Sequence, residues 1–326
     1  MLSELIPHIT LSMPKLAWPD FELKDVQAEL VLGAFAILFS LESRWAHRKS
    51  AGKTMRQSYM ANLGTFILND TLLSLLSVSS LWVLAEHYSG WGILNFIDSP
   101  FWESLAAFLL LDLTLYLWHY ACHQVEWLWL FHRVHHSDLC MNVSTAFRTH
   151  FVEIFLTTVV KAVFVVLTGV ETQTLLLSEA LITVFVMFHH ANLQFPGERL
   201  LAWLTIVPYL HRVHHSVQRQ EHDSNYGAFF SIWDRLFGTL GEREPAQLGL
   251  KQVPGQGVIE LMLFGFKPLS PAPAPQATVN VANVRKMIEE AAYYRAEKRG
   301  FAPGFEFNDW FEAEKEMRNR TRSCTQ

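Results

Sequence analysis

The residues in this chain best suited to chemistry are its histidines. His132-Arg133-Val134-His135-His136-Ser137 has the spacing H-x-x-H-H. A near copy follows as His211-Arg212-Val213-His214-His215-Ser216, alike down to the Arg-Val filler and the trailing serine. His119 and His123, spaced H-x-x-x-H, precede the first box. On a helix, residues i, i+3 and i+4 share a face, so each box is expected to aim its imidazoles at one point. Of the 15 histidines, only His8, His47 and His87 fall outside the stretch from His119 to His222. A lone histidine is ordinarily a surface or satisfied core group, which suits those three but not the cluster.

The box imidazoles are too many for one four-coordinate zinc, and suit two metals with three to five nitrogen ligands each. Imidazole accepts iron, zinc, copper and nickel, so spacing alone does not choose the metal. His189-His190-Ala191-Asn192 ends an apolar stretch and offers a further ligand, His190, with His189 as the alternative. His150 is a candidate to line the site, and His222 is expected at the surface or behind a ligand. Ligating imidazoles usually donate their second N–H to a carboxylate or carbonyl. Asp138, Asp223 and Asn225 follow the boxes closely enough to serve, although a turn with Asx chemistry explains the last two equally well. Asp112, two helical turns before His119, could serve too; a helix–helix hydrogen bond is its alternative role.

These side chains need elements to position them. Half of the 326 residues are apolar and 17% are charged, a balance more apolar than that of an average soluble domain. The net charge of −5 gives no global basic surface for nucleic acid. Cys122, Cys140 and Cys324 are too few for a disulfide scaffold or a thiolate metal site, and Cys122 reads as packing. The N-terminus lacks a basic region and a small-residue cleavage site, so no cleaved signal peptide is expected. Five stretches approach the roughly 20 residues of a spanning helix: 23–43, 61–85, 101–118, 151–170 and 174–188. Lys161 and Glu179 interrupt the last two, which either span or form a hairpin that dips into the membrane.

The loop carrying Arg44, Arg48, Lys49, Lys53 and Arg56 is expected in the cytoplasm. Loops 86–102 and 169–173, which lack Lys and Arg, are expected outside. Every clustered histidine then falls on the cytoplasmic face. The expected architecture is an all-α integral membrane protein with four to five transmembrane or membrane-embedded helices and a cytoplasmic, histidine-rich helical cap holding two metals. Residues 1–25 form an interfacial segment and 26–245 the membrane domain. Residues 246–278 form an irregular tail with a Pro/Ala-rich linker, and 279–326 a small helical accessory module.

Several runs in this chain together resemble the fatty acid hydroxylase / sterol desaturase superfamily over about residues 26–245. They are His119-Tyr120-Ala121-Cys122-His123, Leu130-Phe131-His132 with the rest of the first box, Ser144 to His150, His190-Ala191-Asn192, the second box, Asn225-Tyr226-Gly227 and Trp233-Asp234-Arg235-Leu236-Phe237-Gly238. The resemblance implies a membrane-bound, non-haem di-iron monooxygenase. Such an enzyme uses O2 and two electrons to hydroxylate or desaturate a C–H of a lipid such as a fatty acyl chain or sterol. It implies the boxes as iron ligands, with zinc able to occupy the isolated protein, and no catalytic residue apart from the metal site. The chain has no dinucleotide fingerprint and no haem-attachment motif. A separate electron donor is therefore expected, and the resemblance implies one of ferredoxin or cytochrome type with its reductase; a bacterial inner membrane is the expected location. A lipid entering from the bilayer would meet a cleft with Phe108, Leu109, Trp118, Phe185 and Phe188 as lining candidates. The competing readings are a metal carrier, whose ligands would lie along a path near the bilayer midplane, and a zinc-binding membrane protein without redox activity.

Overall fold

The structure, a computed structural model, describes residues 23–75, 81–268 and 281–323. Most of the N-terminal interfacial segment, part of the expected span 61–85, most of the Pro/Ala-rich linker and Cys324 lie outside the described residues. The chain divides into one unit ending at Lys267 and another beginning at Pro268. The first unit opens with α1 (Leu23–Trp45), α2 (Gly52–Leu75), α3 (Leu81–Tyr88), α4 (Pro100–Gln124), α5 (Glu126–His136), α6 (Phe151–Thr168) and α7 (Thr172–His190). Short helices α8 (Glu198–Leu201), α9 (Pro208–His214), α10 (Arg219–His222) and α11 (Ile232–Leu236) follow, and then α12 (Val258–Phe266).

Among the described residues, α4, α6 and α7 are long and apolar enough to cross a membrane. Their outward faces carry exposed Leu117, Phe155, Val163, Leu167 and Leu177, and α1 and α2 likewise expose Leu32, Ile37, Met60 and Ile67. Apolar exposure on this scale suits lipid rather than water. The inward faces meet in a core of Leu111, Phe164, Val165, Leu175 and Ile182, and α1 runs along α7. Pro100 pre-sets the first turn of α4. The α6–α7 turn needs glycine twice. Gly169 takes φ 65° as the left-handed cap of α6. A Cβ on Gly92 would lie 1.9 Å from the Thr168 carbonyl carbon.

A buried polar network fixes the connection between α5 and α6. Asp138 accepts from Ser58 Oγ at 2.8 Å, Asn62 Nδ2 at 2.9 Å and Thr145 Oγ1 at 2.8 Å. Arg148 donates to the Val134 carbonyl at 3.1 Å and to Asn62 Oδ1 at 3.0 Å, so it holds the C-terminal turn of α5 against α2. Glu42 of α1 accepts from the backbone N–H groups of Val143 and Asn192. Asp70 is exposed on α2, whereas its neighbour Asn69 is buried. Helix α12 packs on α5 and α2, and Arg133 donates to the carbonyls of Phe264 and Lys267. Residues 258–266, expected within an irregular tail, therefore form a helix of the first unit.

The second unit contains α13 (Val281–Lys298) and α14 (Glu306–Ser323). Ile288, Ala313 and Met317 form its small core. Arg295 reaches Glu316 at 2.9 Å, and Arg299 pairs with Asp309.

Candidate metal centre

The last turns of α4, all of α5, the end of α7 and α9 bring nine imidazoles together. His119, His123, His132, His136 and His214 form one group, and His135, His190, His211 and His215 another. Within each group the ligand atoms lie within 4.8 Å of one another. The boxes do not each converge on one point, as the spacing led one to expect; they exchange residues. The first box sends His132 and His136 to the first group and His135 to the second. The second box sends His211 and His215 to the second group and His214 to the first. Helix geometry explains the split. At about 100° per residue, i and i+4 lie roughly 40° apart around the axis, while i+3 lies roughly 60° to the other side.

The imidazole nitrogens meet closely. Nε2 of His119 and His132 are 3.1 Å apart, as are those of His123 and His136. In the second group His190 Nε2 lies 3.1 Å from His135 and 2.9 Å from His211, whose Nε2 is 3.2 Å from that of His215. The opposite ring nitrogens show which form is present. Nδ1–H of His119 donates to the Tyr226 carbonyl at 2.9 Å, that of His190 to Val186 at 2.6 Å and that of His214 to Ser224 at 2.6 Å. Nδ1–H of His132 donates to Glu153 at 2.6 Å and that of His123 to Asp223 at 3.1 Å. These acceptors carry no proton to give, so each of the five rings presents Nε2 as a bare lone pair. His119 and His132 then face each other lone pair to lone pair, and His214 Nε2 is buried without a partner among the described residues. Burial first, and neighbouring imidazoles second, hold the pKa values of His135, His136, His211 and His215 well below the usual imidazole range; burial and His119 do the same for His214. A cation in each group would relieve it, so the donor sets fit two metals.

The remaining expected residues divide. Asp223 accepts from His123 Nδ1–H at 3.1 Å, and Arg219 holds its second oxygen at 3.0 Å. His222 is buried against Trp129 and within reach of His123 and Asp223. His189 belongs to neither group; it packs on His211 with ring centroids 4.0 Å apart. His150 turns away from both groups. Its Nδ1 caps α6 by accepting from Val152 N–H at 3.2 Å, and its Nε2–H donates to Met262 at 3.0 Å. Asp138, Asn225 and Asp112 touch no imidazole. Asp138 serves the α2 network already described. Asn225, at φ 55°, binds the backbone of Leu210 and Gly241. Asp112 accepts from the N–H groups of Phe229 and Phe230 and from Trp233 Nε1 at 2.8–3.1 Å. Asn225 and Asp112 answer mainly to backbone groups, and Asp138 mainly to side chains of α2 and Thr145. Cys122 is buried, with Sγ near His132 and Glu153.

Glu153 is a supporting residue that the sequence reading missed. Its signal was available: a carboxylate in the first turn of an apolar helix. The supporting carbonyls of Tyr226, Val186 and Ser224 leave no trace in side-chain identity.

A cavity of about 660 Å³ reaches the histidines from between the helices. His119, His132, His135, His189, His190 and His211 stand at one end, and Phe66, Leu115, Ile154, Ile182 and Val186 line its walls. Trp118 lines it as expected. Phe108, Leu109, Phe185 and Phe188 do not; Phe108 and Phe185 pack instead on Phe229, at 5.1 and 4.0 Å between ring centroids.

These features define a helical membrane protein with two all-imidazole sites at one end of its bundle. Residues 104–239 match the fatty acid hydroxylase family model. That segment is a fatty acid hydroxylase domain of the fatty acid hydroxylase / sterol desaturase superfamily, and the chain is an integral membrane protein. Residues 284–318 match a protein family of unknown function, DUF2934. The chain is 32% identical over 154 residues to alkylglycerol monooxygenase of Homo sapiens, covering 47% of this chain and 34% of that protein. It is 33% identical over 150 residues to a cholesterol 25-hydroxylase-like protein of Danio rerio, covering 43% and 55%. It is 32% identical over 127 residues to an ornithine lipid hydroxylase of Rhizobium tropici, covering 39% and 38%. The chain thus spans from about a third to about half of the length of these curated relatives. No solved structure matches it significantly.

Proposed function

We propose that this chain is a membrane-bound lipid hydroxylase whose nine clustered histidines hold two iron ions. The observation that carries the reading is the meeting of two groups of converging imidazole nitrogens with a largely apolar cavity between the membrane helices. The names of the relatives, all lipid hydroxylases or monooxygenases, support the substrate class. When bound, the two iron ions supply the reduction of O2 and the oxidation of an alkyl C–H. One oxygen atom goes to the alcohol, and the other leaves as water with two electrons and two protons.

The chain's own residues prepare that chemistry. His135, His136, His211, His214 and His215 stay neutral because burial suppresses their protonation. Glu153, Asp223 and the carbonyls of Tyr226, Val186 and Ser224 hold the Nδ1 protons, and so orient Nε2 inward. The cavity walls bind an alkyl chain and exclude water. The electrons come from a separate donor protein of ferredoxin or cytochrome type. The histidine end faces the cytoplasm, at a bacterial inner membrane, and α13–α14 form an accessory module.

Comparative lipidomics tests this. Cells expressing the wild type are set against cells expressing His135→Ala together with His214→Ala, one residue from each group. A lipid that gains one oxygen atom only with the wild type, and only in the presence of O2, is the expected result. Unchanged lipids in the presence of a donor system, with zinc and no iron in the purified protein, would overturn it.

A further inference from the structure

The cavity is not apolar throughout. Lys161 of α6 and Glu179 of α7 pair at its wall, Nζ to Oε2 at 2.5 Å, and both line the same space as His119 and His190. Each sits near the middle of a helix apolar enough to span the membrane. Charged groups at that depth are costly and generally face a partner or a pathway. The ion pair does not use their full capacity. Glu179 Oε1 is buried with no hydrogen-bond partner among the described residues, and an ammonium has three N–H groups. Thr158 and Thr183 also line the cavity. Their hydroxyl protons go to the carbonyls of Ile154 and Glu179, which leaves their oxygens as further acceptors. A purely structural pair would have these valences met by protein.

We propose that Lys161 and Glu179 form a subsite for a hydroxyl group carried by the lipid substrate. The hydroxyl donates to Glu179 Oε1 and accepts from Lys161 Nζ. Lys161 lies eight residues along α6 from Glu153, which supports His132; at 1.5 Å per residue that is roughly 12 Å. The subsite therefore selects lipids with a hydroxyl about that far from the carbon presented to the histidines, and disfavours plain alkyl chains. This rests on the lipid-hydroxylase reading, and the test below separates the two.

The full chain in nanodiscs is photolabelled with a diazirine-bearing octadecanol, and unlabelled octadecanol competes against its methyl ether, which lacks the donor. Labelled peptides are expected in α6 and α7, with octadecanol competing at a roughly tenfold lower concentration than the ether. In Glu179→Gln and Lys161→Met the ratio should fall to about one. Equal competition by the two lipids in the wild type overturns the proposal without relying on any variant, as does labelling confined to the outer faces of the helices. The readout needs neither metal nor turnover. A chain that shows the preference but oxidises no lipid would refute the hydroxylase reading alone.

Discussion

Removing the Glu153 carboxylate should weaken one metal group and spare the other. Glu153 accepts the Nδ1 proton of His132 at 2.6 Å, while His132 Nε2 points at the His119 nitrogen 3.1 Å away. In Glu153→Ala nothing holds that proton on Nδ1, and the ring is free to turn or to change tautomer. Loss of such an outer acceptor costs roughly 10–100-fold in metal affinity, or about 1.4–2.7 kcal/mol. His119, His123, His136 and His214 remain, so the group should weaken without disappearing. Glu153 touches no member of the second group. Metal retained per chain, measured by elemental analysis after dialysis against graded chelator, should show one equivalent lost earlier than in the wild type and one unchanged. Glu153→Gln, whose amide oxygen still accepts, should fall between. The reasoning is refuted if Glu153→Ala retains both equivalents like the wild type, or loses both together while the fold survives.

Asp112→Ala removes the shared acceptor of three donors and should lower stability by about 3 kcal/mol, read as a drop in the thermal midpoint with metal content per folded chain unchanged. His150→Ala removes a cap of α6 and an anchor to Met262; it should cost about 1 kcal/mol and no metal, whereas loss of an equivalent would restore it to the site. In metal-free protein, the buried imidazoles of His135, His136, His211, His214 and His215 titrate well below their unfolded value near 6.5. The unfolded chain therefore binds more protons in that window, so stability should be flat above about pH 7.5 and fall as pH drops below about 6.5. A thermal midpoint that holds or rises toward pH 5 would contradict this.

The histidine sets were legible because three imidazoles at helical spacing, twice over, have no packing explanation. The membrane helices were legible because apolar runs near 20 residues have few other uses. The charge asymmetry of the loops put the clustered histidines at one end of the bundle. The structure joins the end of α4, the start of α6 and the end of α7 to α5 there, through His119 with His132, Glu153 with His132 and His190 with His135. What stayed hidden was the purpose of the polar residues around the boxes. Asp138, Asn225, Asp112 and His150 all suited an outer role by chemical type, yet each is spent on tying a loop or helix end in place. Composition tells which groups can accept a proton, but only tertiary structure tells which donor arrives first.

The same limit explains why the boxes repeat. Read alone, H-x-x-H-H looks like a three-ligand clamp, and a second copy looks like a second clamp. In the folded chain, α5 and α9 each contribute an i, i+4 pair to one group and lend i+3 to the other. The filler residues follow from this. Val134 and Val213 are buried. Arg133 anchors α5 to the carbonyls of Phe264 and Lys267, and Arg212 anchors α9 to the Leu193 carbonyl and Glu244. Because each helix serves both groups, a shift of either one perturbs two sites at once. Fixing the helices from outside, with an arginine in each box, costs no ligand and holds both groups in register.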